Sequence, residues 1–341
     1  ITVDNIAETY SDGVIDLVTL DATKEGSSVT FENQASTFNS LTVNSNDGIT
    51  INSDLITDVG DLTLDGDSNT SANTSDTIEI NNASSLISAR DVTLDALTGG
   101  VLINGNFTVE ADRDIRLNDV LNINYELNLL ADQNGSGEGG IYTLGDIDSN
   151  GHNIALRSAD IDLSNLIDAG SASVNISSSG GREIGLGVYS TDEFELSNSE
   201  IQNITAANLI IGDDVSGEIF VEGITTAASA NVSSTMTLVG GVVGEKVSFV
   251  NSASTFNQLA VNADGGIIVD VDIDTVVGTM LLDADNDNTG SLDSLQIADG
   301  IPLNSTGDMQ LDATNGGIIA SGDLNLLSDA NILINDNLTE S

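Results

Sequence analysis

VTFENQASTFNSLTVNSNDGITINSDLITDVGDLTLD, residues 29–65, decides the fold because the chain writes it twice. Laid without a gap over residues 247–283, VSFVNSASTFNQLAVNADGGIIVDVDIDTVVGTMLLD, it is identical at 19 of 37 positions. Within it, apolar residues alternate with polar ones in runs of three: Val29-Thr30-Phe31, Leu41-Thr42-Val43, Ile49-Thr50-Ile51 and Leu62-Thr63-Leu64. Gly, Asn and Asp separate the runs. A period of two over so short a span, bounded by turn residues, is the signature of short strands with one buried face.

Working outward, DVTLDALTGGVLINGNFTVEADRDIRLNDVL (91–121) lies over DMQLDATNGGIIASGDLNLLSDANILINDNL (308–338) with 12 of 31 identical. The offset is 218 in the first block (247 − 29) and 217 in the second (308 − 91), so one residue has been lost between them. Residues 1–231 therefore read as a first module and 232–341 as a partial second copy, continuous with it. A solenoid absorbs such a duplication easily, because each coil contacts only its neighbours and an added block meets a matching end.

Further runs, Val18-Thr19-Leu20, Ile78-Glu79-Ile80, Val92-Thr93-Leu94, Phe107-Thr108-Val109 and Ile115-Arg116-Leu117, continue the pattern. They recur roughly every 15 to 21 residues, about one turn of a β-helix. Strong helix formers are scarce and β-branched residues abundant, so helices should be rare. An antiparallel sandwich would share these strands; the long repeat favours a right-handed parallel β-helix, a β-solenoid in the form of an elongated rod. At roughly 20 residues per coil and a strand spacing of about 4.8 Å, about 17 coils would extend on the order of 80 Å.

The composition agrees. Only 3% of residues are aromatic, with one Pro and no Trp, too little bulk for a thick core but enough Val, Ile, Leu and Ala for thin stacked columns. Fifty-four acidic residues against seven basic ones give a formal charge of -47, which argues against nucleic-acid binding and against an anionic membrane surface. That charge keeps a long body soluble and attracts divalent cations. No Cys is present, so disulfides, thiolate metal sites and thiol nucleophiles are excluded. No apolar run reaches the roughly 18 residues of a spanning helix, so no membrane insertion is expected of this segment. The opening residues ITVDNIAETY lack the regions of a signal peptide and begin mid-pattern, so the chain reads as an internal piece of something longer.

Between residues 184 and 224 the pattern becomes more specific. Ile184-Gly185-Leu186-Gly187, then Leu196-Ser197, Glu200-Ile201, Ile204, Ala206, and Leu209-Ile210-Ile211-Gly212-Asp213 followed by Gly217, Ile219 and Val221, resembles a recurring unit of filamentous-haemagglutinin-like giant bacterial surface proteins. The segments 145–163 and 92–117 are similar to the same family in style. The resemblance implies a right-handed parallel β-helix, export to the cell surface or medium, and a role in adhesion, biofilm or envelope architecture. The matching positions are scaffold positions and carry no catalytic residue.

Metal chemistry has two candidates. Asp283, Asp285 and Asp287, with Gly290 and Asp293 following, place oxygen donors at alternate positions as Ca²⁺ loops do, and the first copy retains Asp65, Asp67 and Asn69 at the matching places. These six are the candidate Ca²⁺ ligands; a solvated turn is the simpler reading of the same residues. Asp146-Ile147-Asp148-Ser149-Asn150-Gly151 opens like an EF-hand loop, but its twelfth position is Arg157 where Glu is required, so a strand over 145–148 and an Asn-Gly turn are expected instead. His152, the sole histidine, lacks the companions of a triad or zinc site and reads as a turn residue.

The enzymatic rival is a β-helical polysaccharide lyase or hydrolase. A lyase needs cations, and only Lys24, Arg90, Arg113, Arg116, Arg157, Arg182 and Lys246 exist. Arg113 and Arg116 are the one close pair, and the second copy replaces them by Ala330 and Leu333. A hydrolase needs two carboxylates at a set separation, and no pair stands out in so acidic a chain. Sequons at Asn73, Asn106, Asn134, Asn175, Asn203, Asn231 and Asn304 are expected by chance in this composition. The sequence thus points to a non-enzymatic structural or adhesive stalk segment at the cell surface or outside it. Its expected partners are neighbouring repeats of the same chain, lateral or end-to-end copies, and surface glycans. The alternatives are a self-assembling filament, sheath or surface layer, and the carbohydrate-active β-helix.

Overall fold

The computed structural model describes residues 1–70, 76–191, 193–289 and 293–340. The chain is all-β, and its strands pair in parallel. It forms two units, Ile1–Ala172 and Ser173–Ser341. This division differs from the sequence module boundary near residue 232, since one reports compactness and the other ancestry.

In the unit Ile1–Ala172 the chain visits three sheets in rotation. Val29–Phe31 lies in the first, Ser36–Phe38 in the second and Ser40–Ser45 in the third; Ile49–Ile51 returns to the first, Leu55–Thr57 to the second and Leu62–Asp65 to the third. The inward residues form columns. On the first sheet Val29, Ile49, Ile78, Val101, Leu121, Ile147 and Ile167 stand in register, all buried. On the third, Leu41, Leu62, Val92, Ile115, Ile141 and Ile161 do the same. Each fully buried aliphatic side chain contributes about 1.5–3 kcal/mol, and a strand of three or four residues is held only because both neighbouring coils supply such partners.

The unit Ser173–Ser341 repeats the scheme. Val247–Phe249, Ser254–Phe256 and Leu259–Ala263 make one circuit, and Ile267–Val269, Ile273–Thr275 and Met280–Asp283 make the next. Ile184, Ile219, Val247, Ile267, Leu295 and Ile318 form one buried column, and Leu209, Met236, Leu259, Met280 and Met309 another.

All nine sequence-identified runs fall inside strands. Coil length departs from expectation. Val29 pairs with Ile49, 20 residues on (49 − 29), but Ile49 pairs with Ile78, 29 residues on (78 − 49). Several coils are therefore longer than anticipated, because more chain separates one strand from the next, as between Leu62–Asp65 and Ile78–Asn81. Among the described residues there are three short helices, Glu8–Ser11, Asn198–Gln202 and Thr226–Ser229. The last two occupy the interval of the circuit that the strand Ser254–Phe256 fills in the next coil, and they pack on one another. Ser197 and Glu200 close a capping box on the first of these: Ser197 Oγ accepts from the Glu200 N–H and the Ser197 N–H donates to Glu200 Oε2 at 2.9 Å.

Candidate functional site

The six candidate ligands divide between two environments. Asp65 and Asp283 are the last residues of the strands Leu62–Asp65 and Met280–Asp283, and their side chains point outward from the sheet. Parallel register places Asp65 between Asn44 and Asp95, and Asp283 between Asn262 and Asp312. Amides flank these acidic steps: Asn118 Nδ2 donates to Asp95 Oδ2 at 3.1 Å and Asn335 Nδ2 to Asp312 Oδ2 at 2.9 Å. Burial pushes the Asp283 carboxyl above its ordinary value, with further upward pressure from Asp312, Asp285 and Asp264, against the Asp285 N–H that donates to it. Asp65 is raised likewise, by burial first and then by Asp95, Asp67 and Asp119.

Asp67 and Asp285 lie two residues further on, in the turn, and point inward. Both are buried, at 2% and 1% exposure. Each is clamped from the next coil at an equivalent position: Asp67 Oδ2 accepts from the Thr98 N–H at 3.1 Å and hydroxyl at 2.7 Å, and Asp285 Oδ2 accepts from the Asn315 N–H at 2.7 Å and Nδ2 at 2.8 Å. The following residues, Gly99 and Gly316, permit that approach. A Cβ on Gly99 would fall 2.2 Å from the Asp76 carbonyl oxygen, and one on Gly316 2.5 Å from the Asp293 carbonyl carbon. The turn is closed by the same bond in both copies, from Thr70 N–H to the Asp67 carbonyl and from Asn288 N–H to the Asp285 carbonyl, each 3.0 Å with φ of 54° at the donor.

In the second copy, carboxylate oxygens of Asp285, Asp287 and Asp293 lie within 4.8 Å of one another. Asp293 is 9% exposed. Burial, then Asp285, Asp287 and Asp264, push its carboxyl upward, whereas hydrogen bonds from Thr289 hold that of Asp287 down. Asp264 beside them is raised by burial and by Asp287 and Asp214, against a hydrogen bond from Asn286 Nδ2 at 3.3 Å. Thus the structure brings together Asp285 and Asp287, adds Asp293, and assigns Asp283 to the outward column. In the first copy the Thr98 hydroxyl, which binds Asp67, also lies 3.4 Å from Asp76 Oδ2, and Asn69 is exposed in the turn. Gly290 lies outside the described residues, as does the Asn73 sequon.

The remaining candidates are tied into the scaffold. The strand expected over 145–148 is Ile147–Asp148, followed by Asn150 and Gly151 at φ of 51° and 86°. Asp148 Oδ1 accepts from the Asn150 N–H at 2.8 Å, a turn bond, and Asp146 Oδ1 from the Leu166 N–H at 3.1 Å, a bond from the next coil. The exposed His152 ring stacks on Tyr125 with centroids 6.3 Å apart. Arg116 pairs with Asp114 and lies 4.5 Å from the Tyr142 ring centroid, and Arg113 is 4.0 Å from Asp91.

Sequence reasoning named Asp293 after the alternating aspartates but not among the six ligands, and it missed the clamps at Thr98 and Asn315. The signal was present: Asp76 and Asp293 are equivalent, and a Gly-Gly step, 99–100 and 316–317, survives in both copies. No protein-family profile matches this chain, and no curated protein or solved structure matches it.

Proposed function

We propose that this chain is a structural or adhesive stalk segment of a large secreted or cell-surface repeat protein, wound as a right-handed β-helical rod that extends from or coats the cell. The observation that carries this reading is the repeated three-sheet circuit. Each coil donates its backbone hydrogen bonds to the next, inward columns repeat from coil to coil within each unit, and a block of many coils has been duplicated. Such an architecture grows by adding coils and resists extension through many parallel hydrogen bonds. Dense negative charge keeps copies apart and leaves lateral association to cations.

The engagement of Arg113 and Arg116 by Asp91, Asp114 and Tyr142 counts against their serving as the cationic groups of a lyase. Cryo-electron microscopy of the native material, with and without chelator, tests the reading. Isolated surface rods with a coil spacing of about 4.8 Å support the stalk. An ordered lattice or filament replaces it with the self-assembling layer, and depolymerisation of an acidic glycan by the purified chain replaces it with an enzyme.

A further inference from the structure

We propose that Asp285, Asp287 and Asp293 form a binding site for a hard divalent cation of the Ca²⁺ type, at the turn that leads from Met280–Asp283 to Leu295–Ile297. The proposal stands on the local geometry and not on the stalk reading.

Three carboxylate oxygens within 4.8 Å of one another match the span across one Ca²⁺ ion, whose oxygen ligands stand about 2.3–2.6 Å from it. The donors are oxygens only, which favours Ca²⁺ over the softer transition metals. Burial makes the cluster unusual. Asp285 is 1% exposed, and while its Oδ2 accepts two hydrogen bonds from Asn315, its Oδ1 is buried with no hydrogen-bond donor. A buried carboxylate with an unmet oxygen is costly unless a cation or a proton meets it. Among the described residues no Lys or Arg forms an ion pair with Asp264, Asp285, Asp287 or Asp293.

The first copy gives an independent observation. Asp67 is likewise buried, clamped through Oδ2 by the equivalent residue Thr98, and left with a buried Oδ1 that receives no hydrogen bond. The intervening segments, SNTSANTS (68–75) and NDNTGSL (286–292), differ in length and sequence, yet the buried aspartates at both ends persist. The first copy has Asn69 where the second has Asp287, one carboxylate fewer, so its site should be the weaker of the two.

The test uses the full chain, freed of metal with chelator and titrated with Ca²⁺ by calorimetry in physiological KCl, with Mg²⁺ at equal ionic strength as comparison. The wild type should take up Ca²⁺ saturably, with a tighter and a weaker step. Asp285→Asn keeps the oxygen that Asn315 binds and should weaken the tighter step at least tenfold, as should Asp293→Asn. Asp323→Asn, which removes the same charge from an exposed position, should leave it unchanged. Should either buried variant fail to fold by circular dichroism, the partly exposed Asp287→Asn carries the test with the same expected loss. Absence of saturable uptake by the wild type, or wild-type isotherms from the folded variants, overturns the proposal. Equal loss from Asp323→Asn also overturns it, since uptake would then be diffuse attraction to an acidic surface.

Discussion

Asp283 faces Asp312 across adjacent parallel strands, as Asp65 faces Asp95, and like charges directly opposed in a sheet are destabilising. Both Asp65 and Asp283 have carboxyls raised above the ordinary value of 3.8. A raised folded-state value means that the folded chain holds the proton more tightly, so the contribution is full below 3.8 and is lost as pH rises through the higher folded value. Asp283→Asn, which keeps an acceptor for the Asp285 N–H, should therefore stabilise the protein at neutral pH by about 0.2–1 kcal/mol. It should also flatten the loss of stability between acid and neutral pH. Urea denaturation at a series of pH values checks both, and a lower midpoint at pH 7 would show that the carboxylate is favourable where it stands. Gly316 sets a second residue-scale expectation. Because a Cβ would meet Asp293 backbone at 2.5 Å, Gly316→Ala should cost about 1–3 kcal/mol by denaturant melt, whereas Ala substitution at the open Gly13 should not.

At the scale of the element, strands of three or four residues meet at corners that need their own polar satisfaction. Thr275 Oγ1 and Ser305 Oγ, 3.0 Å apart, both donate to the Gly278 carbonyl, at 2.8 Å and 3.0 Å. Thr57, Ser88 and Gly60 repeat this arrangement in the first copy at 2.8 Å and 3.0 Å. These hydroxyls are buried and link consecutive coils. Ser305→Ala should cost about 0.5–1.5 kcal/mol through the hydrogen bond between coils that it removes, and Ser88→Ala a similar amount. Equal midpoints for wild type and both variants in guanidinium would show that water replaces the hydroxyl. The aliphatic columns are more demanding. Leu282→Ala, at a position with 0% exposure, should cost about 2–5 kcal/mol, since the coils on either side are held by backbone bonds and cannot collapse into the cavity.

For the whole molecule, 54 acidic residues against seven basic ones make self-repulsion a general cost of folding. The thermal midpoint should rise with KCl as screening shortens the reach of that repulsion, to about 10 Å at 0.1 M. CaCl₂ at equal ionic strength should raise it further by mass action on the folded state. If the two salts coincide, screening alone accounts for the response. Stability should be distributed locally, because each coil contacts its neighbours. Hydrogen exchange should find the slowest amides in the columns of Val101–Asn104 and Leu259–Ala263, and fast exchange in projecting loops.

Alternating runs such as Leu41-Thr42-Val43 and Ile115-Arg116-Leu117 determined by themselves that the chain is built of short strands with one buried face, because period-two burial and turn chemistry act over neighbouring residues. The duplication of residues 29–65 was enough to read stacking in place of a sandwich. Other features depended on contacts between coils. The 29-residue step from Ile49 to Ile78, the helices standing in for strands, and the burial of Asp67 beside Thr98 were set by how the coils stack on one another. Asp283, Asp285 and Asp287 look alike in sequence, yet one faces Asp312 on the sheet surface and the others meet Asp293 at a corner. Register in a parallel sheet is fixed by the backbone hydrogen bonds of a distant segment, and a one-residue change in position turns a side chain from surface to core. Only the tertiary structure decided which aspartates share a site.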